Sequence, residues 1–178
     1  MNIKTAHLGD AQALYTTYRN SPDYFRMLGT AIPTASEVEL ELGLALMDRR
    51  RHVELIEHEG EIVGVLDWKE AYPEPQDVTV NLLLLNPAQR GAGLGSRVMW
   101  DLESRLSAGT SRLMASVLGE NPAGARFWER LGYHFAIDAR PVMTWYAKPL
   151  EESAARPALP GGRPARRAQA LPQRVGQF

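Results

Sequence analysis

Gln89-Arg90-Gly91-Ala92-Gly93-Leu94-Gly95-Ser96 sets three glycines and an arginine between an apolar run and an amphipathic one. If a strand precedes this segment and a helix follows it, its chemistry is anion binding. The first turn of a helix has backbone N–H groups with no internal partner. The helix dipole adds partial positive charge at the same end. Glycines let a ligand approach the backbone closely, so the arrangement suits a phosphate. Arg90 would add charge-assisted hydrogen bonds. A P-loop would need a lysine before a Ser or Thr, but Gly95 precedes Ser96 here. A dinucleotide fingerprint would need a third glycine where Ser96 stands, near the start of a fold. A tight glycine turn that binds nothing remains the plain alternative.

Other chemistries are narrowed by composition. The chain has no cysteine, which excludes disulfides, thiolate zinc sites and a cysteine nucleophile. His7, His52, His58 and His134 lack metal-ligand spacing, so no metal is expected. The net charge of −1 carries no bias towards nucleic acid or membrane. The N-terminus lacks a basic start followed by an apolar run. No apolar stretch approaches the roughly 20 residues of a membrane helix. A cytoplasmic chain is expected.

Elements must hold that loop in place, and residues 1–150 read as alternating strands and helices. Ile3–Ala6 is a short strand, and Asp10 is an N-cap for a helix through Leu14 and Tyr15. Ser36 with Glu39 reads as a capping box opening a helix with Val38, Leu40, Leu42, Leu44 and Leu46. His52–Glu57 and Glu61–Trp68 form a hairpin about His58-Glu59-Gly60, and Tyr72–Gln76 is a proline loop. Asp77–Leu85 is a strand whose apolar end, Leu82–Leu85, suggests burial on both faces at mid-sheet. A helix over about 93–107, a strand over 112–117 and a helix over 121–131 stopped by Gly132 follow. Strands over 133–137 and 142–148 complete the sheet. Residues 151–178 hold five Arg against two Glu and have no hydrophobic period. They are expected to form a disordered or loosely packed tail.

Arg90-Gly91-Ala92-Gly93-Leu94-Gly95 resembles the Arg/Gln-x-x-Gly-x-Gly/Ala signature of the GCN5-related N-acetyltransferases (the GNAT superfamily), with Pro87 where that family often has proline. Asn121-Pro122-Ala123-Gly124-Ala125-Arg126-Phe127-Trp128-Glu129-Arg130-Leu131-Gly132-Tyr133 is similar to its second signature. The likeness spans about residues 1–148 and is strongest over 78–135. It implies an α/β (α+β) fold with a mixed, mostly antiparallel central sheet of six to seven strands flanked by about four helices.

The resemblance further implies acetyl-CoA as co-substrate and transfer of its acetyl group to a primary amine by direct attack in a ternary complex. The acceptor would be a small molecule or a protein N-terminus, and a homodimer is compatible. The pyrophosphate would lie on Arg90, Gly91, Ala92, Gly93, Leu94, Gly95 and Ser96. Backbone groups of Leu83, Leu84 and Leu85 would hold the pantetheine arm. Asn121 would contact the cofactor from the other side, with Phe127 and Trp128 packed nearby. Two positions depart from the family. Asn81 stands about where many members have a general-base glutamate. Trp128 stands where many have a tyrosine that protonates the leaving thiolate. Asn81 would then orient water or substrate, and Tyr72 would touch the acceptor, with Asp67, Glu70 and Glu74 as acidic neighbours. A CoA-binding module with little catalysis and an O-acyltransferase of the same fold stand as alternatives.

Overall fold

A computed structural model of the chain describes residues 1–139 and 143–150. The tail expectation for 151–178 lies outside the described residues. The strands are β1 (Asn2–Thr5), β2 (Arg51–His58), β3 (Glu61–Glu70), β4 (Asp77–Leu85), β5 (Arg112–Leu118), β6 (His134–Ala139) and β7 (Met143–Pro149). The helices are α1 (Ala11–Arg19), α2 (Pro22–Leu28), α3 (Ala35–Met47), α4 (Leu94–Arg105) and α5 (Pro122–Arg130). All seven strands form one sheet in the order β1-β2-β3-β4-β5-β7-β6. Only β4 and β5 run parallel. A parallel pair needs a crossover, and the loop leading into α4 begins it. The mixed, mostly antiparallel sheet is therefore as expected, with five α-helices among the described residues rather than about four.

Each sheet face has its own core. One holds Val78, Val80, Val98, Met99, Leu102, Leu113, Ala115, Trp128 and Tyr133, under α4 and α5. The other holds Leu14, Val38, Leu42, Ala45, Val53, Leu55, Val65 and Leu84, under α1 and α3.

One reading of the first half needs correction. The capping box of α3 is Thr34 with Glu37, not Ser36 with Glu39. The Thr34 side chain accepts from the Glu37 amide, and Glu37 accepts from the Thr34 amide at 2.7 Å. Both pairs satisfy the same spacing. The earlier one starts the helix directly after Pro33. The alternating leucines of this helix divide by helical period. Val38, Leu42 and Ala45 are buried, whereas Leu40, Leu44, Leu46 and Met47 are exposed.

Candidate functional site

The glycine loop joins the end of β4 to α4 through a short 3-10 turn, Pro87–Gln89. Gly91 and Gly93 take φ of 83° and 78°, the left-handed region that glycine enters without penalty. A Cβ on either would meet nothing within 4 Å. The first helical bond of α4 is from the Arg97 amide to the Gly93 carbonyl, at 3.1 Å. Gly93 caps the helix without a side-chain bond, and the first turn holds no acidic residue. The amides of Gly91, Ala92, Gly93, Leu94, Gly95 and Ser96 thus have no partner among the described residues. Six unpaired donors at a positive helix end form a site for an anion.

Side chains at this loop do different work. Leu94 is buried in the core and offers only its amide. Gly95 is a packing glycine: a Cβ there would stand 3.1 Å and 3.3 Å from the Phe127 ring. Arg90 is already committed. Its Nε donates to the Leu85 carbonyl at 2.7 Å, its Nη1 and Nη2 pair with Asp23, and its amide donates to Pro87. It therefore tethers the loop to α2 rather than reaching out to a phosphate. The Arg90 hydrogen bond holds the Asp23 carboxyl below its ordinary range.

Beside the loop the sheet opens. β4 and β5 pair only over Asp77–Val80 and Arg112–Ala115. Beyond that point Asn81–Leu85 has no strand on its β5 side, and Ser116–Leu118 pairs only with β7. The divergence coincides with a β-bulge. On β3, Trp68 faces Val80 and Asp67 faces Leu82, so Asn81 is an extra residue. A bulge bends its strand and increases the local twist. Ser116 Oγ lies across the apex, 3.3 Å from the Val80 carbonyl and 3.0 Å from that of Asn81. Leu82 and Leu83 are only half-buried here, which departs from the expectation of burial on both faces. They lie where β4 has lost its neighbour.

The far wall is α5. Asn121 caps this helix, its Oδ1 accepting from the Gly124 amide at 2.8 Å. Its Nδ2 has no partner among the described residues. Phe127 is half-buried against Gly95. Trp128 is buried between Phe127 and Tyr133, with ring centroids 4.9 Å and 5.0 Å away. Phe127 thus stands between Trp128 and the loop.

The opposite face of the sheet carries a polar cluster that only the fold assembles. Arg51 Nε and Nη2 bind Asp67, at 3.1 Å and 2.6 Å. Asn81 Nδ2 donates to Asp67 Oδ1 at 3.0 Å. A carboxylate beside a guanidinium can only accept, so the Asn81 amide must present its nitrogen to Asp67. Asn81 Oδ1 is left without a partner among the described residues. Tyr18 and Glu41 lie around the same pocket. Burial first, then Asp67 and Glu41, raises the Tyr18 hydroxyl well above its ordinary value, so it stays protonated at neutral pH. Burial likewise raises Tyr24.

Tyr72 is exposed on the loop before β4. Its carbonyl accepts from Thr79 Oγ1 at 2.7 Å, and its ring lies 6.2 Å from Trp145 and 5.4 Å from Lys69 Nζ. Thr79 precedes the bulge by two residues on β4, so Tyr72 borders the Asn81 region without touching Asn81. Sequence reasoning does not single out Arg51. The available signal is Asp67 itself, a charge between Leu66 and Trp68 in an apolar strand. Among the described residues no cluster of His, Asp and Glu could hold a metal. No described helix is long and apolar enough to cross a membrane.

Residues 14–133 match the family model described as the acetyltransferase (GNAT) family. Among solved structures, an acetyltransferase from Thermus thermophilus superposes with a TM-score of 0.81 at 35% identity, over 84% of this chain and 96% of that one. A Salmonella typhimurium acetyl transferase that modifies the N-terminal serine of 50S ribosomal subunit protein L7/L12 gives 0.72 at 15% identity, over 84% and 94%. An aminoglycoside acetyltransferase in complex with coenzyme A gives 0.70 at 17% identity, over 83% and 94%. At those identities the last two share the fold alone. No curated protein sequence matches the chain.

Proposed function

The chain belongs to the acetyltransferase (GNAT) family, and we propose that it moves an acetyl group from acetyl-CoA to a primary amine by direct attack in a ternary complex. One observation carries this reading. Six unpaired amides, Gly91 to Ser96, stand at one end of an opening between two strands that are paired elsewhere. The amides suit the pyrophosphate, and the opening suits an extended arm. Acetyl-CoA supplies the activated thioester. The chain supplies position. Backbone groups of Leu83–Leu85 line the arm, except the Leu85 carbonyl, which Arg90 occupies. Asn121 and Phe127 form the other wall, and Trp128 supports Phe127 from the core.

Asn81 holds the acceptor. Its Oδ1, fixed by the bond from Nδ2 to Asp67, accepts a hydrogen bond from the incoming amine and aims the nitrogen lone pair. It cannot take a proton. Asp67 is not a free base either, because Arg51 and Asn81 fill its lone pairs. The amine therefore arrives neutral from solvent. Neither Trp128, which is buried, nor Tyr133, which lies in the core, is placed to protonate a leaving thiolate. Tyr72 borders the acceptor mouth. A small-molecule amine and a protein N-terminus both fit this chemistry, at work in the cytoplasm.

The test is thiol release from acetyl-CoA with a panel of polyamines, amino acids, aminoglycosides and peptide N-termini. The chain has no cysteine, so CoA is the only thiol detected. Amine-dependent release is expected. Failure of acetyl-CoA to bind overturns the reading. The saturated Asp67 favours one second reading, a CoA-binding module, which tight binding without turnover on any amine would establish instead.

A further inference from the structure

We infer that Arg51 is a positioning residue that sets which end of the Asn81 side-chain amide faces the acceptor. The inference rests on the proposed role of Asn81 as the hydrogen-bond partner of the incoming amine. An amide side chain has a donor end and an acceptor end of nearly the same shape, so its neighbours decide which one points outward. Among the described residues the Asn81 side chain has one partner, Asp67 Oδ1, at 3.0 Å. Asp67 is buried, and Arg51 grips it side-on. Arg51 Nε lies 3.1 Å and 3.2 Å from the two carboxylate oxygens, and Nη2 lies 2.6 Å from Oδ2. A guanidinium only donates, so both oxygens are held as acceptors. An acceptor-only Asp67 takes the Asn81 nitrogen, and Asn81 Oδ1 is turned outward.

The groups around the pair leave this task to Arg51. Lys69 stands two residues from Asp67 on β3, on the same face by alternation, but Asp48 holds its Nζ at 2.7 Å. Glu41 of α3 lines the pocket with a carboxylate, not a cation. The hydroxyls of Tyr18 on α1 and Tyr24 on α2 are both raised by burial and stay protonated. The hydrogen bond to Asp67 raises the Arg51 guanidinium further above its ordinary value, so its charge is permanent. Remove it, and a carboxyl buried without a counter-charge favours the neutral acid. The acid O–H then donates to Asn81 Oδ1, and the amide turns its N–H groups outward. Donor would face donor at the incoming amine, and the acceptor hydrogen bond would be lost. A lysine would return the charge at one point, without the planar fork that fixes the carboxylate.

The experiment has two arms, and the first needs no turnover. Hydrogen exchange of the Asn81 side-chain amide is followed by NMR without CoA, the signal being assigned by its absence in Asn81→Ala. Arg51→Met should speed exchange by about tenfold, as the amide loses its fixed partner, and Arg51→Lys should recover part of the protection. The single variant leaves a buried carboxyl without its partner. The double variant Arg51→Met with Asp67→Asn buries no charge, so it keeps the fold, and it should show the same fast exchange. Exchange that both variants leave unchanged overturns the proposal. The second arm measures kcat/KM for an amine that the wild type acetylates. Arg51→Met should lower it by about tenfold with the CoA Kd unchanged, and Arg51→Lys should recover part of the loss. In an Asn81→Ala background Arg51→Met should cost nothing more, because the two residues act as one unit. Losses that multiply would make Arg51 merely structural and overturn the proposal. A wild type that acetylates no amine refutes the transfer reading and the catalytic consequence with it, whereas the exchange arm alone tells whether Arg51 sets the amide.

Discussion

Gly93→Asp and Gly93→Asn together isolate the charge at the glycine loop. Both side chains are nearly the same size, and a Cβ at this position would meet no atom of the chain within 4 Å. Both must adopt φ near 78°. Asn and Asp tolerate that region better than other residues with a Cβ, so the backbone strain of about 1 kcal/mol is common to the two. The difference between them is one negative charge. Placed about 5 Å from a pyrophosphate charge at an effective dielectric of about 20, it contributes about 3 kcal/mol of repulsion. Gly93 is exposed, so solvent and salt reduce this to about 1.5 kcal/mol, or about tenfold in Kd. Calorimetric titration with CoA should give Gly93→Asn a modest loss and Gly93→Asp a further tenfold loss. That second gap should narrow as salt rises. Equal affinities for Asp and Asn would mean that no phosphate lies against the amides of Gly91–Ser96, and the cofactor placement would fail.

Asn81→Ala should lower kcat/KM for the amine by about tenfold, the worth of one lost hydrogen bond to a reacting group, and leave the CoA Kd unchanged; a loss shared by both substrates would make Asn81 structural. With Asp67 engaged by Arg51 and Asn81, log kcat/KM should rise with unit slope up to the pKa of the amine used, and the break should move when an amine of different pKa replaces it; a break fixed across amines would reveal an enzyme base, with Glu41 of the same pocket the first candidate. Gly64→Ala should destabilise the fold by about 3 kcal/mol through overpacking, because its Cβ would stand 2.6 Å from the Leu84 carbonyl oxygen and 2.6 Å from Leu85 Cδ2; an unchanged melting temperature would contradict the close approach of β3 and β4. The Asp23 carboxyl is depressed by Arg90, so its contribution is present above the ordinary carboxylate pKa and is lost as pH falls through the lowered folded value. Arg90→Met should therefore flatten the acid side of the stability curve below about pH 4, and a wild-type slope in that variant would remove the tether.

The glycine loop and the elements that hold it were legible in the sequence because they are contiguous. A strand, a turn, three glycines and a helix follow one another over Asp77–Arg105, and each announces itself locally. The hairpin turn at Glu59-Gly60 and the C-terminal stop of α5 at Gly132 were legible for the same reason. The start of α3 is ambiguous by two residues because Thr34-Ala35-Ser36-Glu37-Val38-Glu39 contains two overlapping capping boxes, and only the packing of Val38 and Leu42 chooses between them. The place of Arg90 in the loop suggests a phosphate ligand. Its actual partner, Asp23, lies 67 positions away, and no local pattern contains that distance. The polar cluster about Asp67 was not legible for a stronger reason. Arg51, Asp67 and Asn81 belong to three strands, and their meeting depends on register, which slips to the other face with a one-residue change.

The bulge at Asn81 connects the two halves. Without an extra residue on β4, alternation would carry the pairing with β5 on past Val80, and the β5-side amides and carbonyls of Leu82–Leu85 would be consumed by the sheet. With it, β4 turns away, the strand edge is freed, and the side chain at the turning point faces Asp67 instead of the core. The same residue therefore opens the sheet and furnishes the polar group at the opening. A glutamate placed there would bring a second carboxylate against Asp67 in place of the donor it now has, and like charges at that range resist joint ionisation. Asn81 satisfies Asp67 as a donor and keeps an acceptor oxygen for the amine. The departure from the family's usual base is thus consistent with its neighbours: having Asp67 on the adjacent strand favours an amide at the bulge, and the proposed reaction would then take its neutral amine from solvent.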